Sequence, residues 1–165
     1  MRADLRDGLP EGRLGGPFDA CLLIYYVLEA FPRRQQVPLL RRLGDLVRPG
    51  GRMIVELRTR PSAHPPGRIS HWEEVPESIL SDSPHLLLTD TTWDARRRIY
   101  VLREVAVLSG ERLAVQQTTG VMSSLDQVRG MVDRAGLRLR AVYDGWSRRR
   151  AAGLSEDLLV VARRP

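Results

Sequence analysis

The sequence LLRRLGDLVRPGGRMIVEL, residues 39–57, carries the strongest structural signal in this 165-residue chain. Its apolar residues recur at spacings of three and four with arginines on the other side, which predicts an amphipathic helix from about Arg33 to Val47. The segment 48–51 ends that helix, because proline cannot continue a helix and glycine permits the positive φ of a tight turn. Met53–Leu57 is then typical of a buried strand.

A second apolar segment lies upstream of this helix. Ala20–Tyr25 is a continuous apolar run without alternation, which fits a strand covered on both faces in a parallel sheet. A strand, a helix, a Pro-Gly turn and a second strand make a right-handed crossover unit. The chain is therefore predicted to have an α/β fold.

The middle of the chain has a different character. Residues 58–84 are rich in serine and proline and are predicted to form a long irregular lid. Strand-like segments follow at residues 86–88, 99–108 and 113–119, and the last two are predicted to form an antiparallel hairpin. We expect a single domain over residues 1–165, with the lid and hairpin as an insert over residues 58–120.

The last part of the chain returns to the helix and strand pattern. Ser124 and Gln127 have the spacing of a capping box at the start of a helix, and Gly136 is placed to end that helix. Two further strands are predicted at residues 137–143 and 157–162.

Composition excludes several classes of protein. The net charge of +6 and the 26 basic residues, all arginine, suggest nucleic-acid binding, but the arginines are scattered and often adjoin acidic residues, which argues against that function. The single cysteine, Cys21, excludes a disulfide framework, and we predict no metal site. The longest apolar run, 20–28, is far shorter than the roughly 20 residues of a membrane-spanning helix. We expect a cytoplasmic protein without membrane contacts.

Four segments, in this order, resemble one known family. Residues 18–25 resemble a fourth strand, residues 39–52 the helix and Pro-Gly turn before a fifth, residues 131–137 a final helix and its exit, and residues 157–163 a reversed last strand. Together they resemble the C-terminal part of a class I S-adenosylmethionine-dependent methyltransferase. The resemblance implies a partial Rossmann-like sheet, equivalent to strands four to seven, with S-adenosylmethionine as the cofactor. The hairpin insert resembles the hairpin that covers the substrate in family members that act on small molecules.

The sequence departs from the family at one essential feature. The glycine-rich loop after the first strand, and the acidic residue that holds the ribose of the cofactor, are missing from this chain. The chain is therefore expected to be a truncated form or one half of a split enzyme. Residues 20–25 would then form an unpaired apolar edge, through which we expect self-association. The alternative to methyl transfer is a non-catalytic remnant that acts as an interaction module.

Candidate cofactor-binding residues come from two observations. Tyr25 and Tyr26 stand at the C-terminal end of a predicted parallel strand, where ligands bind in such sheets, and an aromatic face favours a sulfonium cation. The alternative is that one of them packs against the following helix. By resemblance to the acidic segment after the third strand, Asp4 would contact the adenine of the cofactor.

The remaining candidate site residues are polar or aromatic. His71 could act as a general base near neutral pH, and the alternative is a surface histidine in a polar loop. Glu29 could orient an amine or hydroxyl of the substrate, and capping or solvation of its carboxylate is the alternative. Glu56 ends a strand and could face the same site. Substrate binding is assigned to four residues of the lid and hairpin: Trp72, Trp93, Tyr100 and Arg103. For the aromatic rings on the hairpin strands, the alternative is a role in the core.

Overall fold

The computed structural model describes Leu5 and residues 15–59, 67–109, 113–151 and 157–165. The chain divides into two compact units. Unit 1 comprises residues 1–59 and 123–165, and unit 2 comprises residues 60–122. Unit 2 is thus inserted in the chain between two parts of unit 1. No helix in the described part of the chain is long and apolar enough to cross a membrane.

Unit 1 is a four-stranded mixed sheet with helices. Its elements are β1 (Phe18–Leu23), a short 3-10 helix (Val27–Ala30), α1 (Arg33–Asp45), β2 (Val47–Arg58), α2 (Leu125–Arg134), β7 (Arg138–Asp144) and β8 (Asp157–Arg163). The strand order is β1-β2-β8-β7, in which β1 and β2 are parallel and β8 runs antiparallel to both of its neighbours. This arrangement confirms the predicted α/β fold and the predicted crossover from β1 to β2.

The Pro-Gly segment of unit 1 forms a bulge rather than a free turn. Helix α1 ends at Asp45, and β2 already begins at Val47 instead of the predicted Met53. Phe18 pairs with Val47 but Ala20 pairs with Arg52, so β2 holds the extra residues between these pairs. Gly50 has a φ of 79°, and the Gly50 N–H donates to the Arg164 carbonyl at 3.0 Å. This added pairing keeps the segment within the strand.

Strand β1 lies at the edge of the sheet among the described residues. It spans residues 18–23, so Tyr25 lies outside the strand to which we assigned it. The prediction that this strand is covered on both faces is wrong, because Leu23 is its only buried residue and Leu22 is 55% exposed. An edge strand that packs on one face leaves alternate side chains in solvent.

The core of unit 1 lies between one face of the sheet and the helices. Leu39, Leu40 and Leu43 of α1 pack there with Val128 and Val132 of α2. Helix α2 begins with the predicted capping box: the Gln127 N–H donates to Ser124 Oγ at 3.2 Å, and the Ser124 N–H donates to Gln127 Oε1 at 2.9 Å. Gly136, with a φ of 78°, follows the end of the helix as predicted.

Unit 2 is a four-stranded antiparallel sheet in the order β3-β4-β5-β6. Its strands are β3 (Gly67–Val75), β4 (His85–Asp94), β5 (Ile99–Val107) and β6 (Leu113–Val121). The predicted hairpin is present as β5 and β6. The prediction of an irregular segment over residues 58–84 is wrong for β3, whose residues all pair with β4. A strand of mostly polar, exposed residues is formed here by its hydrogen bonds with a neighbour, without an apolar pattern of its own.

Candidate functional site

The candidate site of unit 1 lies where the parallel strands β1 and β2 reach their carboxyl ends. Strand β1 ends at Leu23, and Tyr25 and Tyr26 follow with φ values of 57° and 56°. Left-handed backbone is uncommon for a bulky residue and costs on the order of 1–3 kcal/mol per residue. Two consecutive tyrosines in this conformation must be held by surrounding contacts, and strain of this kind concentrates at functional sites.

The Glu56 carboxylate holds this turn in place. Glu56 ends the buried part of β2 and is 8% exposed. Its Oε2 accepts a hydrogen bond from the Tyr25 backbone N–H at 2.6 Å, and its Oε1 accepts one from Trp146 Nε1 at 2.6 Å. Hydrogen bonds to an ionised acceptor are short and strong. One side chain therefore connects the turn after β1 with the loop after β7.

A second buried carboxylate lies on the following 3-10 helix. Glu29 is 1% exposed, and its Oε1 accepts a hydrogen bond from the Arg58 backbone N–H. The Arg58 guanidinium lies 3.8 Å from the centroid of the Tyr26 ring. The end of β2 is thus fixed to the turn through its backbone and through its side chain.

The surroundings of Tyr26 shift the pKa of its phenol upward. Burial and the Asp157 carboxylate raise the pKa of the Tyr26 phenol, and the hydrogen bond and charge of Arg58 oppose the increase. The phenol is therefore neutral at physiological pH and can donate a hydrogen bond. One face of its ring is already occupied by Arg58, whereas Tyr25 is 82% exposed.

The structure brings together only some of the predicted site residues. Tyr25, Tyr26 and Glu29 lie together in unit 1, whereas His71 and Trp72 lie on β3 of unit 2. His71 Nε2 is 3.8 Å from Glu73 Oε1 at the surface. Asp4 lies outside the described residues.

Trp72 belongs to an apolar row across unit 2. It pairs with Leu88, which pairs with Val105, which in turn pairs with Val115. Trp72 is 69% exposed and Val115 is 54% exposed, so this row forms an open surface of the sheet. A substrate contact by Trp72 stays a prediction.

The other predicted substrate residues occupy two environments in unit 2. Trp93 and Tyr100 pair across β4 and β5 and are buried together with Met122. This burial favours the alternative of a core role for both rings. Arg103 lies opposite Asp90 in the same sheet. Their substrate contacts are not tested by the structure and stay predictions.

The residues at the turn fit part of a site for a sulfonium cofactor. The exposed Tyr25 ring offers an aromatic face to a cation, and the neutral Tyr26 phenol offers a hydrogen-bond donor. Both oxygens of Glu56 accept hydrogen bonds, so this carboxylate serves to hold the turn in place. The turn is suited to binding and orientation.

Sequence reasoning missed two members of this site. Arg58 and Trp146 reach the turn from the end of β2 and from the loop after β7. No local pattern marks either residue. Its position in the sequence could have indicated Arg58, because Arg58 comes directly after the buried run of β2 and therefore lies at the same carboxyl end.

Comparison with solved structures shows what this fold is similar to. The CcbJ methyltransferase from Streptomyces caelestis matches with a TM-score of 0.71 and 17% identity, over 91% of this chain and 63% of that one. A S-adenosylmethionine-dependent methyltransferase from Clostridium acetobutylicum matches with a TM-score of 0.72 and 8% identity, over 89% and 58% of the two chains. No family model and no curated protein matches the sequence.

A third structure agrees with these two. CalS10 from Micromonospora echinaspora, an amino pentose methyltransferase solved with S-adenosylmethionine bound, matches with a TM-score of 0.66 and 18% identity, over 92% of this chain and 60% of that one. The chain therefore spans about three fifths of the length of these structures, and over that span it has the Rossmann-like fold of S-adenosylmethionine-dependent methyltransferases.

Proposed function

We propose that this chain carries part of a methyltransferase that uses S-adenosylmethionine to methylate a small molecule. The observation that carries the proposal is the strained turn at Tyr25 and Tyr26, held by Glu56 at the carboxyl ends of the parallel strands. Ligands bind at this end of such sheets. The description of one similar structure as an amino pentose methyltransferase supports a small acceptor.

The residues of the turn would bind and orient the cofactor. S-adenosylmethionine supplies a methyl group on a positively charged sulfur, so much of the rate enhancement comes from orientation of the reactants. Tyr25 would place its exposed ring against the cation, and Glu56 would hold the Tyr25 backbone in the required conformation. Tyr26 would donate a hydrogen bond from its neutral phenol.

The two candidate catalytic residues receive different proposed roles. Glu29 is buried and accepts a hydrogen bond from the Arg58 backbone, which supports a positioning role for the end of β2. His71 is exposed on β3, which leaves its ring open to a substrate and supports a role as general base. We also propose that the protein works in the cytoplasm.

Calorimetric titration of the full chain with S-adenosylmethionine tests the proposal. We expect saturable binding that Tyr25→Ala weakens about two- to fivefold, since a cation–π contact at an exposed site is worth about 0.5–1 kcal/mol. Trp72→Ala is the matched control, because it removes an exposed ring from unit 2 and should leave donor binding unchanged. Absence of binding at millimolar donor, both by the chain alone and after an N-terminal Rossmann half is added, would contradict the proposal and would favour the interaction module.

A second candidate function is self-association through β1. Among the described residues β1 pairs with β2 only, and its Phe18 and Leu22 side chains are 38% and 55% exposed. An exposed apolar edge strand is a template for pairing with another strand. We propose that two copies of the chain associate along this edge.

Light scattering at increasing protein concentration tests this association. We expect a dimer in the original chain and a monomer in Leu22→Lys, because a lysine on an edge strand blocks pairing. Thr119→Lys, at an exposed position of β6, is the control and should leave the dimer intact. A monomer of the original chain at every concentration would contradict the idea.

A further inference from the structure

Three arginines lie in register across the sheet of unit 1. Arg52 of β2 is paired with Arg163 of β8, and Arg163 is paired with Arg138 of β7. Directly paired residues of neighbouring strands point to the same face, and like charges in such positions are destabilising. The row therefore carries an electrostatic cost that a bound anion would remove.

This row lies on the sheet face opposite the core. The residues that alternate with it, Met53 of β2 and Ala162 of β8, are each 1% exposed and pack in the core of unit 1. Because side chains alternate along a strand, Arg52 and Arg163 point away from the helices. Arg52 and Arg163 are both exposed.

A cleft on the same face gathers more positive charge. It has a volume of about 510 Å³, and three small or apolar residues, Gly50, Ala141 and Val161, form part of its lining. The rest of the lining is four arginines and a tyrosine: Arg52, Arg140, Arg150, Arg163 and Tyr143. The Arg150 guanidinium lies 5.0 Å from the centroid of the Tyr143 ring. This volume is within the range of pockets that hold small ligands.

The cleft arginines differ from other arginines of the chain in their partners. Arg48, Arg68 and Arg129 each form an ion pair with an aspartate within 3.1 Å. Within the described ranges, by contrast, the four cleft arginines form no ion pair, and Arg163 donates only to the Gly50 carbonyl, at 3.1 Å. Their charge is not balanced by the described part of the chain.

We propose that this cleft binds a small ligand that carries a chain of two or three phosphate groups. A planar guanidinium donates two parallel hydrogen bonds to phosphate oxygens, and several such groups around one cleft match a ligand with several negative charges. The binding would also relieve the repulsion between Arg52 and Arg163, which both line the cleft. This site is built from other residues than the turn at Tyr25 and does not depend on the proposed methyl transfer.

Calorimetric titration of the full chain with inorganic tripolyphosphate tests the inference. We expect saturable binding that Arg140→Ala and Arg52→Ala each weaken about tenfold, as for the loss of a hydrogen bond between charged groups. Arg129→Ala is the matched control, because it removes an equal charge from a helix where Asp126 already pairs with it. It should change the affinity less than twofold. We also expect tripolyphosphate to raise the melting temperature of the original chain more than that of Arg140→Ala.

Further titrations identify the source of the phosphate. If adenosine triphosphate binds as tightly as tripolyphosphate, the cleft recognises the phosphate chain alone. If adenosine triphosphate binds more tightly, the cleft also recognises the organic part of a phosphorylated molecule. Arg140→Lys keeps the charge but loses the paired donors, so an affinity between those of the original chain and Arg140→Ala is expected.

Three results would overturn the inference. They are no saturable binding of tripolyphosphate at low salt, an equal loss of affinity in Arg129→Ala, and much tighter binding of a single-stranded oligonucleotide with a steeper dependence on salt. The last result would assign the arginines to nucleic acid instead. The far-ultraviolet circular dichroism spectrum of each variant is compared with that of the original chain. An unchanged spectrum shows that the variant is folded when its affinity is measured.

Discussion

The two units of this chain are built on different balances of forces. Among the described residues, seventeen buried apolar side chains from strands and helices form the main core of unit 1. The buried cluster of unit 2 contains Trp93, Tyr100 and Met122, with Leu102 packed against it. Unit 1 is thus stabilised mainly by apolar burial, whereas unit 2 relies on its strand hydrogen bonds and on surface pairs such as Arg68 with Asp90.

The same substitution in both units tests this contrast most strongly. Leu40→Ala in α1 should lower the free energy of unfolding by about 2–5 kcal/mol, because Leu40 is 2% exposed and a cavity would remain. Leu88→Ala in β4, where the leucine is 39% exposed, should cost less than about 1 kcal/mol. Urea denaturation measures both. Equal costs would show that unit 2 depends on apolar burial as much as unit 1.

A glycine substitution tests how closely the small cluster of unit 2 is packed. Gly120 of β6 lies opposite Tyr100, and a Cβ at this glycine would overlap the tyrosine ring. Gly120→Ala should therefore cost about 1–3 kcal/mol or more, by thermal unfolding. Gly130→Ala in α2 is the control, because its Cβ would meet only the end of Arg134. It should stabilise the chain by about 0.5–1 kcal/mol, and a small effect of both changes would refute the close packing.

The capping box of α2 provides a smaller effect within unit 1. Ser124→Ala should cost about 1 kcal/mol, because the Gln127 N–H loses its acceptor at the start of the helix. Ser124→Gly should cost only a few tenths of a kcal/mol, since glycine is tolerated at this position. Chemical denaturation followed by circular dichroism compares the two. A loss close to zero in Ser124→Ala would indicate that the serine hydroxyl contributes little to α2.

The smallest expected effect is the pH dependence of unit 2. The hydrogen bond from Arg68, with a smaller contribution from Ser70, lowers the pKa of the Asp90 carboxyl. Because the folded pKa is lower than the unfolded one, the contribution to stability is present above the unfolded pKa and is lost as the pH falls through the folded pKa. The difference in melting temperature between the original chain and Asp90→Asn should therefore shrink on acidification below about pH 4. A difference that is independent of pH would contradict a stabilising role of this pair.

Much of unit 1 is predictable from the sequence, because its elements carry strong local signals. The stripe of leucines in α1, the capping box at Ser124 and the apolar run of β8 each define one element. The bulge at Gly50 was predicted as a simple turn, since its pairing depends on Arg164 far along the chain. Strand β3 was missed because its alternation places polar residues on both faces, and only its pairing with β4 makes it a strand.

The candidate site was predictable in position but not in detail. The rule that ligands bind at the carboxyl ends of parallel strands selects Tyr25 and Tyr26, which lie just after the end of β1, and their part in ligand binding stays a prediction. The left-handed backbone of both tyrosines and the hydrogen bonds of Glu56 depend on tertiary contacts across 31 and 90 residues. Such distant contacts leave no local pattern in a single sequence.

The double hydrogen bond of Glu56 has a consequence for exchange with solvent. The Tyr25 amide hydrogen and the Trp146 indole hydrogen both bond to this one carboxylate. Each hydrogen can exchange with deuterium only when the carboxylate releases it, and rotation of the Glu56 side chain releases both at once. A single rotation of Glu56 would thus free the turn after β1 and the loop after β7 together, and we expect the two hydrogens to exchange at similar rates.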